Sequence, residues 1–373
     1  MYGMKYILAL AGLAILGLAI FVLMRVNPEP VAVTPTPPPS NSIPRIEVIA
    51  EGLEIPWDIA FLPGGDLLVS ERPGRVVRVG KDGTKMPVEY ESDVRHRGEG
   101  GLLGLELHPD FDRNGFIYLY VSSPDARGQT KNRVRRYTLS GDALVDPKLI
   151  LDGIPGAMYH DGGRMEFGPD GFLYVTTGDA TKGPIAQDIN SLGGKILRVK
   201  DDGTPAPENP FGTYLYSYGH RNPQGLAWDS DGNLWETEHG PTGEEGVCCR
   251  DEVNRIEAGK NYGWPTIVGD QTRNGMLAPA LQSGSDTWAP ASAAIVGDKL
   301  FFGGLRGEAL YSATISDGSI TDLVENFKGE FGRIRTVRVG PDGMLYLTTS
   351  NRDDRGEPKT GDDKIIRIDP KQL

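Results

Sequence analysis

Residues 159–180 read "YHDGGRMEFGPDGFLYVTTGDA", which sets His160 ahead of a strand–turn–strand unit whose far end carries Asp179. An imidazole titrates near neutrality and suits a general base. A hairpin brings the outer ends of its strands together, so Asp179 can support and orient the ring. On pattern alone His160 is equally a surface loop residue. A second group occupies equivalent entry positions further on. "YGHRNPQGLAWD" (218–229) carries Arg221, Asn222 and Gln224, "GGLRGEAL" carries Arg306, and "FGRIRTVRVG" carries Arg333 and Arg335 on one strand face. Guanidinium pairs well with carboxylate or phosphate. Four arginines at strand ends therefore point to a polyanionic ligand, or else to pairing with the chain's own acids.

The stretch "ETEHGPTGEEGVCCRDEVNRIEAGKNYGWP" (236–265) crowds Glu238, Glu244, Glu245, Asp251 and Glu252 into what reads as one inserted loop. Carboxylate and carbonyl oxygens are what calcium selects; a solvated acidic loop is the alternative. His239 does not suggest zinc, because no spaced His or Cys pair accompanies it. The chain's two cysteines, Cys248 and Cys249, are adjacent. A trans peptide would hold their Cα atoms about 3.8 Å apart, below the usual disulfide range. Outside the cytoplasm such a bridge would stiffen the loop, and two free thiols are the alternative.

These groups need elements to place them, and the sequence supplies a repeat. "PWDIAFLPGGDLLVSERPGRVVRV" starts at Pro56, "GLLGLELHPDFDRNGFIYLYVSS" at Gly101 and "GGRMEFGPDGFLYVTTGD" at Gly162. Further units start at Pro223, Val296 and Arg333. Each is an apolar strand, a turn of Pro, Asp and Gly, then a strand of β-branched and aromatic residues. A lone hairpin is marginal, so such units must stack. Strand-rich repeats of about 40–65 residues without intervening helices predict an all-β fold, a β-propeller of four-stranded antiparallel blades. Six units are present, and residues 45–50 are available as the outermost strand of the last blade.

The remainder bounds the function. The 373-residue chain carries a formal charge of −12, which argues against nucleic acid or an anionic membrane surface as partner. No Gly-rich phosphate loop is present. Residues 1–24 contain an uncharged apolar run, Tyr6–Met24, with Lys5 before it and Arg25 after, which predicts a signal anchor. Residues 25–44 are Pro-rich and read as a stiff spacer. The propeller, residues 45–373, is thus expected outside the cytoplasmic membrane.

Taken together the motifs resemble the soluble quinoprotein sugar dehydrogenases, the glucose and aldose dehydrogenases that use pyrroloquinoline quinone (PQQ). The resemblance runs from "GLEIPWDIAFLPGG" through "GEGGLLGLELHPDF", "HDGGR", "RNPQG", "EHGPTG" and "GKNYGWP" to "KIIRIDP". It implies a six-bladed propeller, His160 as base in the H-x-x-G-R motif, and Asp179 as its supporting acid. It implies quinone contacts from Arg221, Asn222, Gln224, Arg333 and Arg335. Calcium would be held by the carbonyls of Gly240 and Pro241, and a second, structural calcium would use Glu252 and the carbonyl of Tyr262. An aldose would be the substrate and an external acceptor would take the electrons. Three positions depart from the pattern. Arg306 stands where some relatives have Lys, Glu99 stands where relatives have Gln, and the loop holding the cysteines is longer. Two rivals remain: a calcium-dependent lactonase-type hydrolase and a non-catalytic binding propeller.

Overall fold

The computed structural model describes residues 46–243 and 246–373; the expected signal anchor, the spacer and Arg45 lie outside them. Six four-stranded antiparallel sheets form the blades, spanning residues 56–88, 102–155, 165–218, 223–282, 290–326 and 334–368. Each chain neighbour in a blade is also its sheet neighbour, as expected when short turns join consecutive strands. Contacts between successive blades run around the ring and return from the sixth blade to the first. The ring is closed by Ile46–Ala50, which pairs antiparallel with Ile365–Ile368 as the fourth strand of the sixth blade. An ion pair, Arg367 to Glu47 at 2.8 Å, lies across that seam.

The turn chemistry works as the repeat implies. In "GPDG", Asp170 accepts from the Phe172 N–H at 3.1 Å and from the Tyr174 hydroxyl at 2.9 Å, and Gly171 takes a φ of +78°. Asp342, Tyr346 and Gly343 repeat the arrangement in the sixth blade. An aromatic of the second strand is thereby tied to the turn that precedes it.

Strand burial falls from the axis outward. Inner strands such as Pro56–Phe61 and Pro223–Trp228 are buried nearly throughout, because neighbouring blades cover both their faces. The outermost strand Ser319–Asn326 faces solvent, with only Ile320 buried. The inner strands all run the same way along the axis, so their first residues gather at one mouth of the channel and their last residues at the other. That gathering is what positions the site.

Candidate active site

His160 lies in the loop before Met165–Phe167, with a φ of +62°. The glycines around it explain how the loop fits. A Cβ on Gly178 would collide with the His160 carbonyl, and one on Gly162 would strike the Thr177 backbone. The loop is therefore pressed onto the end of the adjacent strand, and His160 Nδ1 lies 2.7 Å from Asp179 Oδ1. The same oxygen accepts from the Thr181 N–H at 2.7 Å, and Asp179 Oδ2 accepts from Trp264 Nε1 at 2.7 Å. A carboxylate fixed on both oxygens assigns the proton of the ring to Nδ1 and leaves the Nε2 lone pair outward. His160 lines a cavity of about 460 Å³ at the mouth of the channel, within the usual range for small-molecule sites.

The loop is held from behind as well. The His160 N–H donates to Glu99 Oε2 at 2.9 Å, and Glu99 Oε1 accepts from Arg355 Nη1 at 2.9 Å. Burial opposes ionisation of Glu99, but His239, Arg355 and the His160 N–H outweigh it and hold the carboxyl down at about 2. Next to the base, burial pushes Asp161 up to about 7; its Oδ1 accepts from Asn132 and the Ala157 N–H, while Oδ2 has no partner among the described residues. Asn222 is fully buried behind this loop, its Oδ1 accepting from the Gly162 N–H and from Gln224 Nε2.

The arginines divide into roles that their spacing could not reveal. Arg306 is exposed on the cavity rim. Arg221 lines the same cavity, donating from Nη1 to the His239 carbonyl at 3.2 Å and lying over the Trp264 ring. Arg333 also reaches the wall, but Asp353 Oδ2 already holds its Nε at 3.0 Å and its Nη2 at 2.7 Å. Here the pairing alternative is realised. Arg335 sits deeper, beside Trp57, Glu99, Gln224 and His239. It donates from Nη1 to Gln224 Oε1 at 2.8 Å, yet its buried Nε has no partner among the described residues. Burial pulls its guanidinium down to about 9.

His239 carries no zinc signature in the sequence, and nothing there reveals its place beside the cavity. Burial keeps the ring neutral by pulling it down to about 3, and its Nε2 is buried without a partner among the described residues. A neutral imidazole and an unsatisfied guanidinium N–H beside one cavity are donors waiting for a polar ligand. Together with Arg221 and Arg306 they fit a multiply charged planar acid such as a tricarboxylate quinone.

The four residues expected to hold calcium converge. Gly240, Pro241, Glu252 and Tyr262 all line one small cavity together with Glu238, Arg221 and His239. No Lys or Arg side chain of the described residues pairs with Glu238 or Glu252. Burial, with Glu238 adding to it, raises the Glu252 carboxyl well above the usual range. Backbone carbonyls and two carboxyl groups around one void, the Glu252 proton being exchangeable for a metal ion, suit a hard dication. The acidic-loop expectation needs correcting in one respect. Glu238 ends one strand and Glu252 begins the next, and Asp251 is buried, accepting from the N–H groups of Gly240, Trp288 and Ala289. Cys248 and Cys249 are joined in a disulfide in the loop between those strands.

Residues 53–357 match the family model for glucose/sorbosone dehydrogenases. The chain belongs to that family. Among its relatives, aldose sugar dehydrogenase YliI of Escherichia coli K12 is 33% identical over 339 residues, covering 82% of this chain and 90% of YliI. The PQQ-bound aldose sugar dehydrogenase of Streptomyces coelicolor superposes with a TM-score of 0.80 at 41% identity, covering 86% of this chain and 97% of that one. An oxidoreductase of Thermus thermophilus with a provisional glucose dehydrogenase assignment gives a TM-score of 0.82 at 45% identity, covering 87% and 99%. Like these relatives, this sugar dehydrogenase family member is an oxidoreductase. Sequence reasoning missed Arg355 and Trp264 in its site. Trp264 lies in the quoted "NYGWP", whereas Arg355 sits in a charged loop with nothing to distinguish it from its neighbours.

Proposed function

We propose that the protein oxidises the C1 hydroxyl of aldose sugars to the lactone, with PQQ as the immediate acceptor, calcium beside it, and an external acceptor downstream. The observation that carries this reading is the pair formed by His160 Nδ1 and Asp179 Oδ1, 2.7 Å apart, on the wall of a cavity that also presents Arg221 and Arg306. When bound, the quinone supplies the two-electron, hydride-accepting centre and calcium a Lewis acid next to it.

The chain's own residues do the rest. His160 Nε2 takes the hydroxyl proton as the C1 hydrogen leaves with its electron pair, so the sugar gains the C1 carbonyl of the lactone. Asp179 stabilises the imidazolium that forms and keeps the ring in the correct tautomer. Arg221, Arg306 and Arg335 would meet the quinone's carboxylates, with Arg333 acting alongside its partner Asp353. The Gly240 and Pro241 carbonyls would hold the calcium beside the quinone, and Glu252 with the Tyr262 carbonyl a second, structural calcium. The channel axis beneath the cavity is filled by Arg335, Trp57 and Arg164, stacked in turn. The Arg335 guanidinium directly beneath the cavity, rather than a carboxylate set, favours this reading over a hydrolase built on a carboxylate-held metal in the channel. We further infer that the apolar run Tyr6–Met24 places the propeller outside the cytoplasmic membrane.

The chemistry is tested with glucose deuterated at C1. Dye reduction by the PQQ- and calcium-loaded enzyme should show a normal primary isotope effect, with gluconolactone as product. An unchanged rate together with a product oxidised elsewhere would overturn the assignment of C1.

A further inference from the structure

The inner strands end at the mouth opposite His160, where they enclose a second cavity of about 430 Å³. Each inner strand contributes a wall residue at or next to its end: Phe61, Leu107, Phe167, Trp228, Ile295 and Val339. The charged groups on this wall are Glu106, Glu166 and Arg338. Arg338 Nη2 lies 2.9 Å from Glu106 Oε2 and 3.1 Å from Asp58 Oδ2, and its Nη1 lies 3.8 Å from Glu166 Oε1. Asp58, fully buried, also holds the buried Arg164 at 2.6 Å.

The charges in this cluster do not cancel. Asp58, Glu106 and Glu166 stand against Arg164 and Arg338, three carboxylates against two guanidiniums, which leaves one negative charge in excess. Asp58 is enclosed between both arginines. The excess therefore resides at the cavity wall, where Glu166 has only its 3.8 Å contact among the described residues. Glu166 is 28% exposed and Glu106 15% exposed where they face the cavity, and a partly desolvated excess charge there favours a proton or a cation beside it. Burial, opposed by Arg338, pushes Glu106 up to about 8 and Glu166 up to about 7, so a proton fills the role near neutrality when nothing else does. The void is much larger than a bare ion, and its remaining wall is apolar and aromatic. Such walls accommodate an organic cation through its hydrocarbon body and through cation–π attraction.

We propose that this cavity is a binding site for a small organic monocation of the alkyl- or arylammonium class, its charge beside Glu166 on the side away from Arg338 and its apolar body against Phe61, Phe167 and Trp228. The site lies at the far end of the channel from His160 and does not rest on the redox reading.

The test is calorimetric titration of the full-length protein with benzyltrimethylammonium, which stays charged at every pH, against benzyl alcohol as the neutral comparator. The cation is expected to bind at least tenfold more tightly than the alcohol. Its affinity should rise at least tenfold from pH 6 to pH 9 as Glu106 and Glu166 lose the competing proton. Glu166→Gln should abolish the preference for charge, and Val339→Trp should weaken binding by filling the rim without altering a charge. Equal binding of the two probes, a pH-independent affinity, or displacement by an equal concentration of potassium would overturn the proposal. So would unchanged binding in both variants.

Discussion

Glu99 and Arg355, 256 residues apart in the chain, form an ion pair of 2.9 Å at the rim of the cavity, and the other oxygen of the same carboxylate takes the backbone N–H of His160. The second and sixth blades are thus tied together through the loop that carries the base. A charged residue at position 99 is therefore structural for His160, whatever it contributes to the substrate.

Arg355→Ala should leave Glu99 without its cationic partner and loosen the His160 loop. Because Arg355 is half exposed, the cost in stability is about 1 kcal/mol or less, while turnover should fall severalfold. Combining it with Glu99→Gln should recover part of the loss, since no unpaired charge remains. A double-mutant cycle on turnover reads this coupling, and strictly additive effects would contradict it.

His160→Ala should lose about 10²–10⁴-fold in turnover, the usual worth of a positioned base. Quinone binding should survive, because the arginines are untouched. Asp179→Asn should also lose turnover, with the ring free to adopt the wrong tautomer. Absorbance titration of the quinone separates binding from chemistry in both variants.

The two C-terminal arginines should behave differently. Arg335→Gln removes a buried guanidinium whose Nε awaits a partner, and quinone affinity should fall by about tenfold or more. Arg333→Gln leaves Asp353 without its cationic partner at 2.7 Å, so its first effect should be a lower melting temperature. Equal affinity losses with unchanged melting in both would show that Asp353 does not occupy Arg333 in solution.

Asp161 provides a pH test. Its carboxyl is raised to about 7 by burial, whereas the unfolded chain releases that proton near the ordinary value. Between roughly pH 4 and pH 7 the unfolded state therefore binds fewer protons, and stability falls as pH rises. Below that window the contribution is fully present; above it the loss is complete and constant. Asp161→Asn should melt increasingly above the wild type across this window, by on the order of a few kcal/mol, and the difference should level off beyond it. A pH-independent difference would contradict the burial argument.

The blades were legible because each one repeats a local rule: the Asp and Gly of the turn and the alternation of the strands are visible within about twenty residues. His160 and Asp179 were legible for the same reason, being the two ends of one hairpin. Contacts across the ring were not. Nothing near Arg333 in sequence shows that Asp353 occupies it, and nothing near Glu99 points to Arg355. The acids of residues 236–252 looked like one solvated loop because spacing cannot distinguish a loop from two strand ends. That Glu252 and Tyr262 line the same void as Gly240 and Pro241 depends on a turn whose path the sequence does not encode locally.

The most direct test of the central claim uses the full-length protein made without cofactor, to which PQQ and calcium are added singly and together. Reduction of an artificial dye by a panel of aldoses is followed in the wild type and in His160→Ala. Turnover that needs both additions and collapses in the variant, with quinone still bound, is the expected result. Failure of the wild type to bind quinone, or equal turnover in the variant, would contradict the account.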